Sequence, residues 1–291
     1  MKSSTLALAR YAQERGFAVP AFNVVDELSM RAVVEAAETA DSPVVVQVSL
    51  KTARALGVEF ITAMFKSAIK DRRVSAALHL DHCPDISVIE QVVEAGWSSV
   101  LFDASDRDLA RATSETAQVV ALAHSVGVDV ESEIENIVGV EDGVGSDVLV
   151  HSYSVDQLVA IAEQTGADLI APHLGTAHGQ YSGRPNLLPD RVREFRALTE
   201  RPIVLHGGTG LTEAEFRSLI SAGVSKINIS TALKHTYMQS SFDFLKSASV
   251  RGEWDPPLLF RSVSGAVRAM VIQHFDIFGS GGQASGLRAT S

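Results

Sequence analysis

Eight short apolar runs, separated by stretches of helical period, recur along the 291-residue chain, and this alternation restricts the fold more than any other feature. The runs are PAFNV (20–24), PVVVQV (43–48), SAALHL (75–80), SSVLF (98–102), GVDVESE (127–133), DLIAP (168–172), PIVLHG (202–207) and KINIS (226–230). Between them lie segments such as MRAVVEAAETA, EFITAMFKSAIKD, ISVIEQVVEAG and SVDQLVAIAEQTG, with the apolar spacing of amphipathic helices. Gly96, Gly127, Gly166 and Gly223 stand close before strands, where an α-to-β connection takes a helix stop. Connections of helical length predict parallel pairing, because antiparallel neighbours need only short turns. Two architectures remain, a closed (β/α)8 TIM barrel and an open doubly wound sheet. KINIS favours the barrel: Lys226, Asn228 and Ser230 share one face, Ile227 and Ile229 the other. A central parallel strand packs its apolar face on helices, which leaves the polar face for a barrel interior. One α/β domain over residues 1–278 is therefore expected, followed by a Gly/Ser-rich tail (279–291) expected to be flexible.

Composition narrows the partners. With 35 acidic against 25 basic residues the net charge is −10, which argues against nucleic acid or an anionic membrane as the main partner. One cysteine excludes an intramolecular disulfide and a Cys-rich zinc module, and suits a reducing compartment. The first residues, MKSSTLALARYAQERGF, read as an amphipathic helix, and no apolar run is long enough to span a bilayer. A soluble, cytoplasmic protein is expected.

The polar residues gather near the strand ends, which in a barrel converge on one mouth. LHLDHCP (78–84) alone holds two histidines, an aspartate and a cysteine, and burying such groups is costly unless each finds a partner. Three histidines stand in strong contexts: His82 in HLDHC, His178 in GTAHG and His206 in LHGGTG. A lone histidine reads as a hydrogen-bonded core residue. Three at one mouth, with a fourth position open, fit a catalytic Zn2+. Strict alternation turns His79 and Asp81 inward and His82 outward, so His82 joins a site only where the strand turns, as Pro84 permits. His79 reads as an interior structural residue. Asp81 is placed either as a general acid/base or as a carboxylate orienting an imidazole. Glu131, Glu133 and Asp103 can hold a second metal position, accept from metal-bound imidazoles, or pair with Lys226. GGTG (207–210) and ISTA (229–232) follow the seventh and eighth strands, where barrels often bind phosphate. Gly207, Gly208, Thr209, Ser230 and Thr231 are the candidates there. IENIVGVEDGVGSD (134–147) reads as a lid carrying Glu141 between Gly139 and Gly143, with a plain solvated loop as the alternative.

With LHLDHC, GTAHG, LHGGTG and KINIST in this order and spacing, the chain resembles the class II, zinc-dependent ketose-bisphosphate aldolases, closest to the fructose- and tagatose-bisphosphate branch. The likeness runs from PAFNV to the helix ending in FGSGG. It implies Zn2+ on His82, His178 and His206, with Asp103 and Glu133 at positions that can hold a displaced or second metal. It implies Asp81 as the acid/base at the substrate hydroxyl and Glu141 as the group exchanging the dihydroxyacetone phosphate proton. Asn228 would help hold the enediolate. Gly179, Gly207, Thr209, Ser230 and Thr231 would bind the ketose phosphate, and Asn23 and Ser49 would contact substrate. A homodimer or homotetramer is expected, with a phosphorylated sugar as substrate, and a monovalent cation beside the phosphate stays open.

The chain departs from the family at Glu135 and Val138, where glycines are usual, at Ala104 after Asp103, and at His173, an added imidazole. These cluster at the lid and rim, so they bear on the aldehyde half of the substrate. Fructose 1,6-bisphosphate is the expected ketose, with tagatose bisphosphate or another sugar phosphate as alternative. The rivals are a Schiff-base aldolase through Lys226, a zinc amidohydrolase (its strand-one His-x-His is absent from AFNV) and a non-catalytic sugar-phosphate sensor.

Overall fold

The computed structural model describes residues 2–141, 144–146, 148, 150–179 and 184–290, with side chains of 140, 141, 144–146 and 288–290 excepted. Ten strands and twelve helices are described. The strands are β1 (Val19–Asn23), β2 (Val44–Ser49), β3 (Ala76–Cys83), β4 (Ser99–Asp103), β5 (Asp129–Glu133), β6 (Gly139–Glu141), β7 (Val144–Ser146), β8 (Leu169–Ile170), β9 (Ile203–Leu205) and β10 (Val224–Ile229). The helices are α1 (Thr5–Arg15), α2 (Glu27–Thr39), α3 (Leu50–Leu56), α4 (Val58–Ile69), α5 (Ile86–Glu94) and α6 (Leu109–His124). They continue with α7 (Val155–Thr165), α8 (Pro189–Leu198), α9 (Glu213–Ala222), α10 (Thr231–Arg251), α11 (Pro256–Phe278) and α12 (Ala284–Thr290). Eight strands close a parallel barrel in the order β1-β10-β9-β8-β5-β4-β3-β2, and every one falls within an expected apolar run or overlaps it. The open-sheet alternative is thereby set aside. No helix among the described residues is long and apolar enough to cross a membrane.

The division of β10 into two faces works as its sequence requires. Ile227 and Ile229 join the large core between barrel and helices, with Phe22, Val46, Leu80 and Phe102. A separate cluster of Leu8, Ala12, Phe17, Val19, Ala21, Val45 and Ala77 fills the lower interior, with α1 laid across that end. Thr5 Oγ1 lies 2.6 Å from Ser99 Oγ, and Ser4 Oγ donates to Asp129 at 2.8 Å, so α1 is tied to the strand starts. One end of the barrel is thus closed by apolar packing, and the polar strand ends meet at the other.

Two segments carry more structure than composition signals. The chain from Gly279 makes specific contacts over residues 280–287. Ser42 Oγ donates to the fully buried Ser280 Oγ at 2.8 Å, Gly282 N to Ala40 O at 2.9 Å and Ala284 N to Asp41 O at 2.8 Å, and α12 packs Leu287 beside Tyr11. Composition signalled flexibility, but the end of α2 offers this segment backbone partners. In addition, the stretch after β5 is not all loop: β6 and β7 pair as an antiparallel hairpin.

Candidate metal centre and active site

β3 solves the placement of His82. The pairing steps from Leu80–Val100 to Cys83–Phe102, so three residues of β3 span two of β4. This is a β-bulge at Asp81–His82, and His82 carries it in the left-handed region, with φ +44°. A residue with a Cβ pays on the order of 1–2 kcal/mol there. The strand therefore does not end early, as Pro84 suggested; it continues to Cys83, and the extra residue brings Asp81 and His82 to the mouth together. His79, before the bulge, points inward as expected, its Nδ1 2.7 Å from Ser99 Oγ.

The three histidines converge. His206 Nδ1 lies 3.0 Å from His82 Nε2, and the His82 ring centroid is 4.8 Å from that of His178 and 4.7 Å from that of His206. One donor atom from each of the three falls within 4.8 Å of the others, and His82, Asp103 and Glu133 form a second such group. Carboxylates orient two of the rings. Asp103 Oδ2 sits 3.1 Å from His82 Nδ1, and Glu131 Oε1 sits 2.8 Å from His206 Nε2. If those nitrogens carry the protons, His82 Nε2 and His206 Nδ1 are left as lone-pair donors facing each other. Glu131 is itself held by Lys226 Nζ at 2.8 Å, so it is both an imidazole acceptor and the structural partner of Lys226.

The electrostatics favour a cation. Burial, reinforced by their histidine neighbours, holds His178 and His206 well below the usual imidazole range, so they are neutral. Burial opposes charge on His82 too, but Asp81, Glu133 and Asp103 outweigh it and raise His82 well above that range. Burial pushes Glu133 well up; His82 opposes this, and Asp103, Asp81 and Glu131 add to it. Asp103, despite its burial, is brought down to about 2 by His82 and Ser105. Asp81, Asp103, Glu131 and Glu133 are all buried, and Lys226, on Glu131, is the one buried lysine among the described residues. Both ring nitrogens of His178 and Glu133 Oε2 have no hydrogen-bond partner among the described residues. Two neutral imidazoles, a third drawn toward positive charge by its carboxylate neighbours, and buried atoms without partners among the described residues all fit a metal ion at this cluster.

Asp81 stands beside this centre, its Oδ1 4.0 Å from His82 Nε2. It accepts from Asn23 Nδ2 at 2.6 Å and from Asn228 Nδ2 at 3.2 Å. Gln47 Nε2 donates to Asn23 Oδ1 at 2.8 Å, and Lys226 Nζ donates to Asn228 Oδ1 at 2.8 Å, so both amides that hold Asp81 are themselves held. The Lys226 side chain, fully buried between Glu131 and Asn228, is not presented to a ketone as a Schiff-base nucleophile would be.

The expected phosphate region lies next to the histidines. Gly207 takes φ +66°, and a Cβ there would sit 2.4 Å from Ala177 O, so the GGTG turn packs on the loop bearing His178. Thr209 Oγ1 accepts from Ala232 N at 3.2 Å in the first turn of α10. Ser230 heads that helix without capping it, and its buried Oγ has no partner among the described residues. Gly208 is a near neighbour of Asn228 O, Gly179 takes φ +82°, and Thr231 opens α10. Ser49 Oγ accepts from Thr52 N at 3.3 Å, capping α3, while pairing opposite Asp81 in register. The backbone of Glu141 belongs to β6, but its side chain lies outside what is described, as does Gly143. Sequence patterning places Gln47 among the polar residues at the strand ends, on the face of Ser49, without giving it a role. It does not single out Arg191, which in a helix's first turn carries no signal.

The sequence model described as "Fructose-bisphosphate aldolase class-II" matches residues 3–283. The chain is 35% identical over 276 residues to the probable fructose-bisphosphate aldolase of Bacillus subtilis (strain 168), covering 94% of this chain and 96% of that one. It is 32% identical over 229 residues to the sulfofructosephosphate aldolase of Alkalicoccus urumqiensis, covering 78% and 80%. Among solved structures, the YdjI aldolase from Escherichia coli K12 superposes with a TM-score of 0.84 at 27% identity, covering 98% of this chain and all of that one. The chain belongs to the class-II fructose-bisphosphate aldolase family, and is an aldolase, a carbon–carbon lyase built on a (β/α)8 barrel.

Proposed function

We propose that this aldolase is zinc-dependent and reversibly cleaves fructose 1,6-bisphosphate to dihydroxyacetone phosphate and glyceraldehyde 3-phosphate. The observation that carries the metal is the convergence of three imidazoles, one with both ring nitrogens unpaired among the described residues. Bound there, Zn2+ supplies Lewis-acid polarisation of the substrate carbonyl. The chain's own groups do the rest. Asp81 takes the proton of the substrate hydroxyl whose carbon loses its bond, held for this by Asn23 and Asn228. Glu141 returns a proton to the carbanionic carbon of the ketose-phosphate half, and Asn228 offers an amide to its developing charge. Gly179, Gly207, Gly208, Thr209, Ser230 and Thr231 receive the phosphate, with Ser230 Oγ, unpaired among the described residues, as a waiting donor. Asp103 and Glu133 provide an alternate metal position beside His82.

A specialised sugar-phosphate aldolase is the second reading, favoured by the relative named for sulfofructosephosphate and by His173, an added imidazole in the loop before His178. Steady-state specificity for fructose against tagatose bisphosphate, with sulfonated and dephosphorylated analogues, separates the two. Removal of the metal by EDTA should abolish cleavage, and zinc should restore it. Activity that survives full chelation and is trapped by borohydride refutes the zinc reading. The protein is further proposed to be cytoplasmic and to form homo-oligomers. The exposed Met238, Phe242, Leu245, Trp254, Leu258 and Phe260 of the α10–α11 region support self-association.

A further inference from the structure

Metal-binding histidines are ordinarily fixed by a hydrogen bond from the second ring nitrogen to a carboxylate or carbonyl. His82 and His206 have that support, from Asp103 and Glu131. His178 does not: neither ring nitrogen finds a partner among the described residues, although the residue is only 8% exposed. Among the described residues, its backbone is what places it. His178 N donates to Val138 O at 2.7 Å, and Gly139 packs so closely that a Cβ would meet His178 O at 2.5 Å. The loop before it, residues 173–177, has no regular secondary structure beyond the single bridge from Ala177 to Val138, so something else must hold it.

That holder is an ion pair the catalytic chemistry does not use. Glu135, fully buried, accepts from His173 N at 3.0 Å through Oε2 and from Tyr153 N at 2.9 Å through Oε1. Arg191, from the first turn of α8, meets Glu135 Oε1 at 2.8 Å with Nη2. The same guanidinium donates to His173 O at 3.1 Å and to Tyr153 O at 2.8 Å. The carboxylate therefore takes both N–H groups and the guanidinium both carbonyls of two residues from separate mouth loops. Leu188 N, just before α8, adds a bond to Leu174 O at 3.0 Å. A planar fork suits this task, because only it reaches a carboxylate and two carbonyls at once.

We propose that the buried Glu135–Arg191 pair is the positioning element for His178, holding the loop beneath this imidazole so that its ring meets the centre made by His82 and His206. The proposal rests on His178 being a metal ligand. It also gives Glu135, a departure from the family's glycine, a task in this chain.

Two variants test it in the zinc-loaded protein. Glu135→Gln puts an amide N–H where an acceptor is needed, and Arg191→Lys keeps the charge but loses the fork. Amide hydrogen exchange at Tyr153, His173 and His178 should speed up about tenfold or more, with the β1–β4 half of the barrel unchanged. Zinc release to a competing chelator should quicken by about 10–100-fold. The visible band of the Co2+-substituted protein should change in intensity as the third imidazole shifts. If the amides loosen while zinc release and the Co2+ band stay at wild-type values, the pair is merely structural and the proposal is overturned. Unchanged amides overturn it as well. Should Glu135→Gln loosen the whole barrel, the same readouts on Arg191→Lys decide between these outcomes. His178→Ala is the control: if it retains zinc as tightly as wild type, the metal reading of His178 has failed, whereas faster release isolates any failure to the Glu135–Arg191 clamp.

Discussion

Replacing Asp81 by asparagine removes the proposed proton acceptor while keeping its shape, and its local cost follows from two contacts. The buried carboxylate offers one oxygen to Asn23 Nδ2 at 2.6 Å and the other to Asn228 Nδ2 at 3.2 Å. An amide has a single oxygen, so one of these buried donors would face another N–H group. Stranding one such group costs about 1–3 kcal/mol. Spread over a chain this long, that lowers Tm by only a few degrees, so the variant should stay folded at 25 °C. The chemical loss is larger: a positioned general base contributes about 10²–10⁴-fold, equivalent to about 3–5 kcal/mol of barrier. Because Asp81 lies outside both candidate ligand groups, bound zinc should remain at wild-type stoichiometry. The assay is kcat for cleavage, coupled to dihydroxyacetone phosphate, with metal content measured on the same sample. A kcat within tenfold of wild type in the zinc-replete variant would show that Asp81 only orients its neighbours. Loss of zinc together with activity would make it a ligand instead.

Three further outcomes are expected. Glu141→Gln should slow the exchange of the dihydroxyacetone phosphate proton with solvent by about 10²-fold or more, seen by NMR in D2O; unchanged exchange removes Glu141 from the mechanism. Gly207→Ala must fit a Cβ 2.4 Å from Ala177 O at φ +66°, so it should displace the turn and raise KM for the phosphorylated substrate about tenfold or more. An unchanged KM would place the phosphate elsewhere. Burial pushes the Cys83 thiol up to about 12, so at pH 8 the native protein should react with iodoacetamide far more slowly than the guanidine-unfolded chain. Equal rates would mean that β3 opens readily beside His82.

The barrel strands were legible because each carries two local signals at once: apolar residues facing the helices and polar ones facing inward. What stayed hidden depends on partners far away in sequence. The β6–β7 hairpin is joined through Val138 to Ala177 and His178, some forty residues on, whereas the glycines pointed to a lid or a plain loop and gave no sign of paired strands. Glu135 read as a charged departure at a rim, yet it is fully buried because Arg191, in another helix, neutralises it. The Gly/Ser composition of the tail gave no sign of its hydrogen-bond acceptors, Ala40 and Asp41, because they lie just past the end of α2.

His79 and His82 differ for the same kind of reason. They share a strand and are both buried, and residue type gives no reason for one to be structural and the other a candidate ligand. Height in the barrel separates them. His79 lies opposite Ser99, whose hydroxyl also meets Thr5 of α1, so its Nδ1 is consumed by the network that closes the barrel floor. His82 lies beyond the bulge, where its neighbours are Asp103, Glu133 and another imidazole rather than a hydroxyl. The bulge is a mismatch of register between β3 and β4, a property of two strands rather than of either one, so alternation along β3 necessarily sent His82 the wrong way. Deleting one residue at the bulge would restore simple alternation and turn either Asp81 or His82 toward the helices. The left-handed backbone at His82 is therefore the strain that lets the proposed proton acceptor and a candidate metal ligand occupy adjacent positions on one strand and face one mouth.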